Sequence, residues 1–336
     1  MTETPAPKPP TMIQALNAAL HDAMAEDQAV LVLGEDVADN EGGGVFGVSK
    51  GLSSAFGSGR VRSTPISEQA IIGAAIGASM VGRKPVAEIM LMNFTSVAMD
   101  MIVNHAAKLR FMSGGQTGVP IVIRTATGVG LGTGGQHSDY LEAWFAHTPG
   151  LKVVAPSNPA DAYGLMRAAI DDPDPVLFIE NMQLYFKRGT APERGHRVEI
   201  GKAATLREGS DLTIIAHSRM VQESLKAADQ LATDNIAAEV IDLRTIAPWD
   251  RETVLASVEK TKRAIVVHEA VREFGIGAEI ASTLNERLFG RLKAPIVRLG
   301  GAFCPVPFAK PLETAFAPQA ANIADAARHS LTPVPA

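Results

Sequence analysis

The chain has almost no cysteine, since Cys304 is the only one in 336 residues. An intrachain disulfide is therefore impossible, and a zinc or redox site built on paired cysteines is excluded. No uncharged apolar run reaches the roughly 18 residues of a membrane-spanning helix. The start, MTETPAPKPP, has neither an apolar core nor an arginine, which disfavours a secretory signal and a mitochondrial transit peptide. We expect a cytoplasmic, bacterial protein with a flexible arm over residues 1–11.

Several common functional motifs are also missing. The Gly201–Lys202 pair is followed by Ala203 and lacks the spacing of a phosphate-binding P-loop. The sequence contains no GxSxG, HExxH or EF-hand pattern, which removes serine hydrolases, zincins and calcium sensors. A formal net charge of −5 argues against a nucleic-acid or anionic-membrane surface. The balance of 46% apolar and 20% charged residues predicts an ordered globular chain.

Short β-branched runs alternate with helical patterns twice along the chain, which predicts two α/β domains with parallel sheets. The charged, aperiodic stretch KRGTAPERGHR opens a linker at 187–201, between domains at 12–186 and 202–330. Asn158 before Pro159 indicates a capped helix start. Strands are predicted at 29–34, 84–90, 119–124, 151–156, 175–180, 211–218, 237–244, 263–270 and 294–300. Helices are predicted at 13–26, 68–81, 95–112, 159–170, 220–232, 251–260 and 278–289.

Two glycine-rich stretches need an interpretation. GIGAEI at 275–280 has the first two glycines of a dinucleotide fingerprint, but Ile280 stands where the third is required. A glycine turn that opens a helix explains it better. TGVGLGTGGQHSDY at 127–140 follows a predicted strand without beginning a clear helix. Loops of this kind are usually functional or mobile.

One carboxylate stands out in STPISEQAIIGAAIGASMVG, residues 63–82. Ser67 can cap the helix that follows, which places Glu68 in its first turn, where the helix dipole favours a negative charge. That common structural role explains Glu68 without any function. However, the residues that follow it for three turns are almost entirely small and apolar, and they offer no compensating cation. The residues alone leave both explanations open.

The chain resembles a known family through several motifs in the same order. PISEQAIIGAAIGASMVGRKPVAEIMLMNF, AAKLRFMSGGQTGVPIVIRTATG, GGQHSDYLEAWFAHTPGLKVVAPSNPADAYGL and PVLFIEN are similar to the β subunit of the thiamine-diphosphate-dependent first component of 2-oxo acid dehydrogenase complexes. The resemblance runs from about residue 12 to 313. It implies an oxidoreductase subunit with an N-terminal pyrimidine-binding domain and a C-terminal transketolase-like domain.

The resemblance also implies roles for individual residues. Glu68 hydrogen-bonds the aminopyrimidine and so promotes loss of the thiazolium proton, which makes it catalytic and cofactor-binding. Phe94 stacks beside the aminopyrimidine, with Met90 and Ile66 at flanking apolar positions. His137 is the active-site histidine, which orients the acid, moves protons and assists acyl transfer to the lipoyl arm.

A structural potassium site is the metal site that the resemblance implies. Its positions match Ile121, Ala169, Ile170, Asp172 and Asp174, bound mainly through backbone carbonyls. Asp174 departs from the asparagine of the family.

The cofactor's diphosphate needs Mg²⁺, and in this superfamily a GDG motif with a downstream Asn supplies the ligands. The sequence contains no GDG. The resemblance therefore implies an active site shared with an α subunit that holds most of the Mg²⁺ ligands, in an α2β2 heterotetramer. It also implies binding to the lipoyl acyltransferase core and a small 2-oxo acid substrate.

Three other readings stay open. LEAWFAHTPGLKVV is closer to pyruvate-type subunits, whereas VVHEA and LKAPIVRLGG are closer to branched-chain ones, and acetoin dehydrogenase β subunits share the same motifs. The glycines near 275 leave a nicotinamide-dependent dehydrogenase as a weaker alternative. A non-catalytic scaffold that retains the fold is the third.

Overall fold

The computed structural model describes residues 8–332, so residues 1–7 of the predicted arm lie outside the described part. The strands are β1 Val30–Gly34, β2 Val61–Ser63, β3 Lys84–Leu91, β4 Val122–Thr127, β5 Lys152–Val154, β6 Val176–Asn181, β7 Ala204–Arg207, β8 Leu212–Ala216, β9 Ala238–Asp242, β10 Thr245–Ala247, β11 Ala264–Val271 and β12 Val297–Gly301. The α-helices are α1 Met12–Glu26, α2 Leu52–Phe56, α3 Glu68–Met80, α4 Leu109–Met112, α5 Gly135–Ser138, α6 Glu142–Ala146, α7 Pro159–Asp171, α8 Arg219–Ala232, α9 Arg251–Thr261, α10 Ile276–Leu288, α11 Lys310–Phe316 and α12 Ala320–Leu331.

Two separate sheets confirm the predicted α/β class. The first has seven strands in the order β10-β5-β6-β4-β3-β1-β2, and all its pairings except that of β10 are parallel. The second has the order β12-β11-β8-β9-β7, with only β7 antiparallel. Every residue of β4, β6, β8 and β9 is buried, as expected for central strands covered by helices on both faces.

Local sequence signals explain two of the longer helices. Asn158 caps α7 as predicted, because its side chain accepts the Asp161 N–H and Pro159 occupies the first turn. Thr11 and Gln14 form a capping box at the start of α1. These two helices pack against each other on one face of the first sheet.

A strand from the second half of the chain completes the first sheet. β10 pairs antiparallel with β5, so residues 245–247 leave the C-terminal sheet and join the N-terminal one. Polar contacts reinforce this crossing, since Ser157 donates to Asp242 at 2.5 Å and Arg244 pairs with Asp161 at 3.1 Å. Residues 182–203, which connect β6 to β7, form turns and irregular chain. Arg188 in this segment forms one isolated antiparallel bridge with Thr11. The two sheets are therefore joined by more than the connecting chain.

Three local predictions are wrong. The predicted helix at 95–112 is broken into a 3₁₀ segment, Met92–Ala98, a π-helical segment, Met101–Ala106, and α4. Thr95 and Ser96 donate their hydroxyls to carbonyls three residues back, a local bond that competes with regular α-helix. Ser67 makes no side-chain capping bond to α3. The strand predicted at 119–124 begins instead at Val122 and continues to Thr127.

A buried arginine links three central strands of the first sheet. Arg124 on β4 donates to both carboxylate oxygens of Glu180 on β6, at 2.7 and 2.8 Å, and to Glu88 on β3 at 2.6 Å. Tyr185 donates to Glu180 at 2.8 Å. Burial raises the pKa of Glu88 and the charge of Arg124 opposes that shift. The guanidinium is thus the cation that allows Glu180 to be fully buried and Glu88 to be mostly buried here.

Candidate active site

The polar residues of the candidate site follow strands that end at the same edge of the first sheet. Glu35 follows β1, Asn93 and Phe94 follow β3, and the loop that leads to His137 follows β4. Because β1, β3 and β4 are parallel neighbours, their carboxyl ends meet at one edge. Ligands of open α/β sheets bind at this edge. The topology therefore gathers residues that lie far apart in the sequence.

Glu68 lies at the first position of α3 and is only 7% exposed. Its carboxylate forms no hydrogen bond or ion pair within residues 8–332. The pKa of Glu35 is raised, first by burial and then by repulsion from the carboxylate of Glu68. An unpaired, nearly buried carboxylate at a ligand-binding edge is a ready partner for a ring nitrogen of a bound heterocycle.

The structure brings the side chains of Phe94 and His137 together. Their ring centroids lie 5.5 Å apart in an edge-on arrangement, and both side chains are half-buried. Asn93 connects the two segments, because its amide donates to the Gly135 carbonyl at 3.0 Å and to Asp139 at 2.9 Å. Burial raises the pKa of Asp139, and the Asn93 bond opposes that shift.

The two flanking apolar positions differ in their surroundings. Met90 is half-buried and packs with Phe46 against the core around Arg124. Ile66 is 81% exposed. An open groove of about 1060 Å³ lies by Trp144, Trp249 and Phe274 and is not lined by Glu68 or His137. Of the two flanking positions, only Ile66 is therefore exposed to solvent in the chain by itself.

Sequence reasoning missed Asn93, Asp139 and Glu35. Asn93 stands directly before Phe94, and Glu35 follows a predicted strand, so position in the sequence was the available signal. The importance of Asn93 and Asp139 comes from contacts across 42 or more residues, such as Asn93 to Gly135, which no local pattern shows.

The predicted potassium positions lie near the C-terminal end of α7 and the N-terminal ends of β4 and β6. The Asp172 carboxylate accepts from Lys152 Nζ at 2.6 and 2.7 Å, and Asp174 pairs with Arg110. The Ile121 carbonyl accepts the Val176 N–H at 3.0 Å. Within residues 8–332 no group of three or more His, Cys, Asp or Glu side chains is arranged to hold a metal ion. A cation here would depend on carbonyl oxygens.

A buried acid and a buried imidazole meet between the two domains. Glu142 Oε1 and His217 Nε2 are 3.8 Å apart, too far for a hydrogen bond, and neither side chain has another partner within residues 8–332. Burial raises the pKa of Glu142 to about 8 and lowers that of His217 to about 3. Both groups are therefore neutral near pH 7, and the contact is not an ion pair.

The substitution Glu142→Gln should make the protein more stable in alkaline solution. The folded carboxyl binds a proton up to about pH 8, whereas the unfolded one releases it near 4.5, so the free energy of unfolding falls as the pH rises through this interval. Glutamine removes that loss. Denaturant unfolding at about pH 5 and about pH 8 should show a gain that grows with pH. Glu279→Gln on the exposed face of α10 is the control, and an equal gain there would contradict the assignment.

The fold and the site define a chain of the thiamine-dependent transketolase type. Residues 8–187 match the pyrimidine binding domain of transketolase and residues 201–323 match the transketolase C-terminal domain. A solved structure titled "Split gene transketolase, inactive beta4 tetramer" has a TM-score of 0.78 at 24% identity and covers 96% of this chain and 98% of its own, which shows the shared fold.

Relatives with higher sequence identity show which family of this class the chain belongs to. The chain is 45% identical to the pyruvate dehydrogenase E1 component subunit beta of Bacillus subtilis (strain 168), over 96% of this chain and 98% of that one. It is 45% identical to the beta-2 subunit from Oryza sativa subsp. japonica, over 97% and 87%. It is 44% identical to the beta subunit of acetoin:2,6-dichlorophenolindophenol oxidoreductase of Cupriavidus necator, over 94% and 96%. The chain belongs to the family of β subunits of thiamine-diphosphate-dependent 2-oxo acid dehydrogenases, which are oxidoreductases.

The weaker sequence signals have structural explanations. Gly275 and Gly277 begin α10 beside the buried ring of His268, and a Cβ on either glycine would lie within 3.0 Å of that ring. Close packing therefore explains these glycines, in agreement with the turn interpretation and not with a nicotinamide fingerprint.

No helix among residues 8–332 has the length and apolar character to cross a membrane.

Proposed function

We propose that this chain supplies the pyrimidine half of a thiamine-diphosphate site for oxidative decarboxylation of a 2-oxo acid, followed by acyl transfer to a lipoyl domain. The observation that supports it most directly is the unpaired, nearly buried Glu68 at the edge where Phe94 and His137 meet. These residues fit an aminopyrimidine, because a carboxylate, an aromatic ring and an imidazole are the groups needed to bind and activate it.

Each residue has a separate task in this proposal. Glu68 holds a proton shared with the pyrimidine nitrogen, and Phe94 forms the apolar wall beside that ring, with Met90 and Ile66 flanking it. His137 orients the substrate carboxylate and moves a proton during acyl transfer. Bound thiamine diphosphate supplies the nucleophilic carbon and the electron sink.

The partner of this chain is an α subunit of the same enzyme, as its relatives' designation as beta subunits indicates. The missing GDG motif and the exposed flanking residue Ile66 support an α subunit that holds the diphosphate and most of the Mg²⁺ ligands. We propose an α2β2 assembly, docked on a lipoyl acyltransferase core through the C-terminal domain, in the cytoplasm of a bacterium. Cell fractionation tests the compartment.

The isolated chain should catalyse no thiamine-dependent decarboxylation, because half of the active site is missing. Adding an α subunit with a GDG motif and a downstream Asn should restore activity and produce a larger species. Substrate-dependent reduction of an electron acceptor and analytical ultracentrifugation measure the two effects. Full activity from this polypeptide alone would overturn the shared-site proposal.

The substrate side chain is the finer question. We propose pyruvate or a branched-chain 2-oxo acid, with acetoin cleavage as the second candidate because an acetoin-cleaving relative is 44% identical. The reconstituted pair should be assayed with pyruvate, 3-methyl-2-oxobutanoate and acetoin. Preference for acetoin would replace the first candidate.

For potassium, we propose a site formed by Ile121, Ala169, Ile170, Asp172 and Asp174, bound mainly through carbonyls. The Lys152 and Arg110 contacts already compensate the two acids, so stabilisation by the ion should be modest. Equal unfolding temperatures in potassium and choline salts would remove this site from the proposal.

A further inference from the structure

The loop between β4 and His137 has a backbone that needs external support. Gly128, Gly130, Gly132 and Gly134 all have positive φ, from +69° to +117°. A Cβ would lie 1.9 Å from Gln183 at Gly130 and 2.3 Å from the Phe308 ring at Gly134. Glycine is therefore required at these two positions, but a glycine-rich loop loses much conformational entropy when it is held in one shape.

One carboxylate of the C-terminal domain binds the middle of this loop. Glu313 on α11 is 1% exposed, and its Oε1 accepts the Gly130 N–H at 2.5 Å and the Gly132 N–H at 2.9 Å. Lys310, one turn earlier, donates to the Gly130 carbonyl at 2.9 Å. Bonds from backbone N–H groups to a carboxylate are stronger than neutral ones, so this contact fixes the loop tightly.

A second carboxylate of the same domain binds the start of the loop. Glu269 on β11 accepts the Val129 N–H at 2.6 Å, and its other oxygen accepts from Asn181 at 3.0 Å and Arg219 at 2.8 Å. Neither carboxylate belongs to the domain from which the loop extends. Residues 129–132 of the loop are therefore held by the other domain.

The fixed loop leads directly to His137. Gly134 precedes α5, and its carbonyl accepts the His137 N–H at 3.2 Å. Thr133 and Ser138 share a hydroxyl hydrogen bond of 2.7 Å. A helix of four residues is not stable by itself. The orientation of the His137 ring therefore depends on how the loop is held.

We infer that Glu313 is a positioning residue, which acts from the C-terminal domain through the glycine loop to hold His137 in its working orientation. Glu269 is the second anchor. This inference rests on the catalytic role proposed for His137. A purely structural Glu313 would affect stability alone, whereas a positioning role links the order of the loop to the turnover number.

The test uses Glu313→Ala and Glu313→Gln in the assembled α/β enzyme. For Glu313→Ala we expect amide hydrogen exchange in residues 128–138 to accelerate about 10-fold or more. We expect kcat to fall about 10- to 100-fold, because misplacement of a reacting group costs this much. Thiamine diphosphate affinity should stay unchanged, since Glu68 and Phe94 lie on other segments. Glu313→Gln keeps an acceptor oxygen, so its exchange rate and kcat should lie between those of Glu313→Ala and those of the unsubstituted enzyme.

Glu239→Ala is the matched control, because Glu239 is also buried in the C-terminal domain and accepts a glycine N–H, that of Gly209, at 3.2 Å. It should lower stability without changing exchange in 128–138 or kcat. Unchanged exchange in Glu313→Ala, or a kcat loss no larger than in Glu239→Ala, would overturn the inference. If Glu313→Ala does not assemble, Glu313→Gln and Lys310→Met are judged by the same criteria. An inactive unsubstituted enzyme would refute the proposed function instead, while the exchange measurement still tests the loop.

Discussion

The substitution Glu68→Gln should lower the 2-oxo acid-dependent activity of the assembled enzyme about 100-fold or more. Loss of a group that takes part in acid–base catalysis typically has an effect of this size. Glutamine keeps the size and a hydrogen-bonding oxygen, but it cannot share a proton with the pyrimidine nitrogen. Because Glu68 forms no hydrogen bond or ion pair within residues 8–332, the substitution breaks no contact of the fold. Steady-state turnover and ultracentrifugation of the α/β assembly measure activity and size separately.

Glu223→Gln is the control for this variant. Glu223 is likewise nearly buried, at 9% exposure, and it accepts from Ala320 N–H and Lys226 far from the site. It should retain near-normal turnover. If Glu68→Gln also retained near-normal turnover, the proposed catalytic role of Glu68 would be wrong, and its only role would be that of a carboxylate at the start of a helix.

The largest stability effect is expected for Arg124→Met. The substitution leaves Glu180 and Glu88 in the centre of the first sheet without their cation, and removal of one partner from such a buried group costs about 3–5 kcal/mol. Denaturant unfolding of the isolated chain measures the loss. Arg124→Lys keeps the charge but not the bidentate contact with Glu180, so its loss of stability should be smaller than that of Arg124→Met.

Two further variants make this prediction specific. Arg62→Met, at an exposed residue of β2 that donates only to the Gly59 carbonyl, should change stability by about 0.5 kcal/mol or less. Adding Glu88→Gln and Glu180→Gln to Arg124→Met should recover part of the loss, because the stranded charges are removed. A loss below about 1 kcal/mol in Arg124→Met would show that the carboxyls are protonated at little cost.

Most of the longer helices and strands were predictable because their signals are local, although α12 was not predicted. The periodicity of α1, α7 and α8 and the β-branched runs of β1, β6 and β8 match the observed elements within a few residues. The Asn158–Pro159 start was predictable for the same reason. The segment 92–112 was not, because hydroxyl-to-carbonyl bonds and tertiary packing change its helix type. The short elements β7, β10 and α11 carry too few residues for a periodic signal.

The sequence by itself determined the α/β class and the two-domain pattern and, through motif resemblance, the choice of Glu68, Phe94 and His137 as candidate site residues. Only the tertiary structure decided which residues support them. β10 crosses into the other sheet, Asn93 joins two segments, and Glu269 and Glu313 hold the glycine loop from the opposite domain. The physical reason is separation along the chain: the Glu313–Gly130 bond spans 183 residues, and no local pattern encodes a contact at that distance.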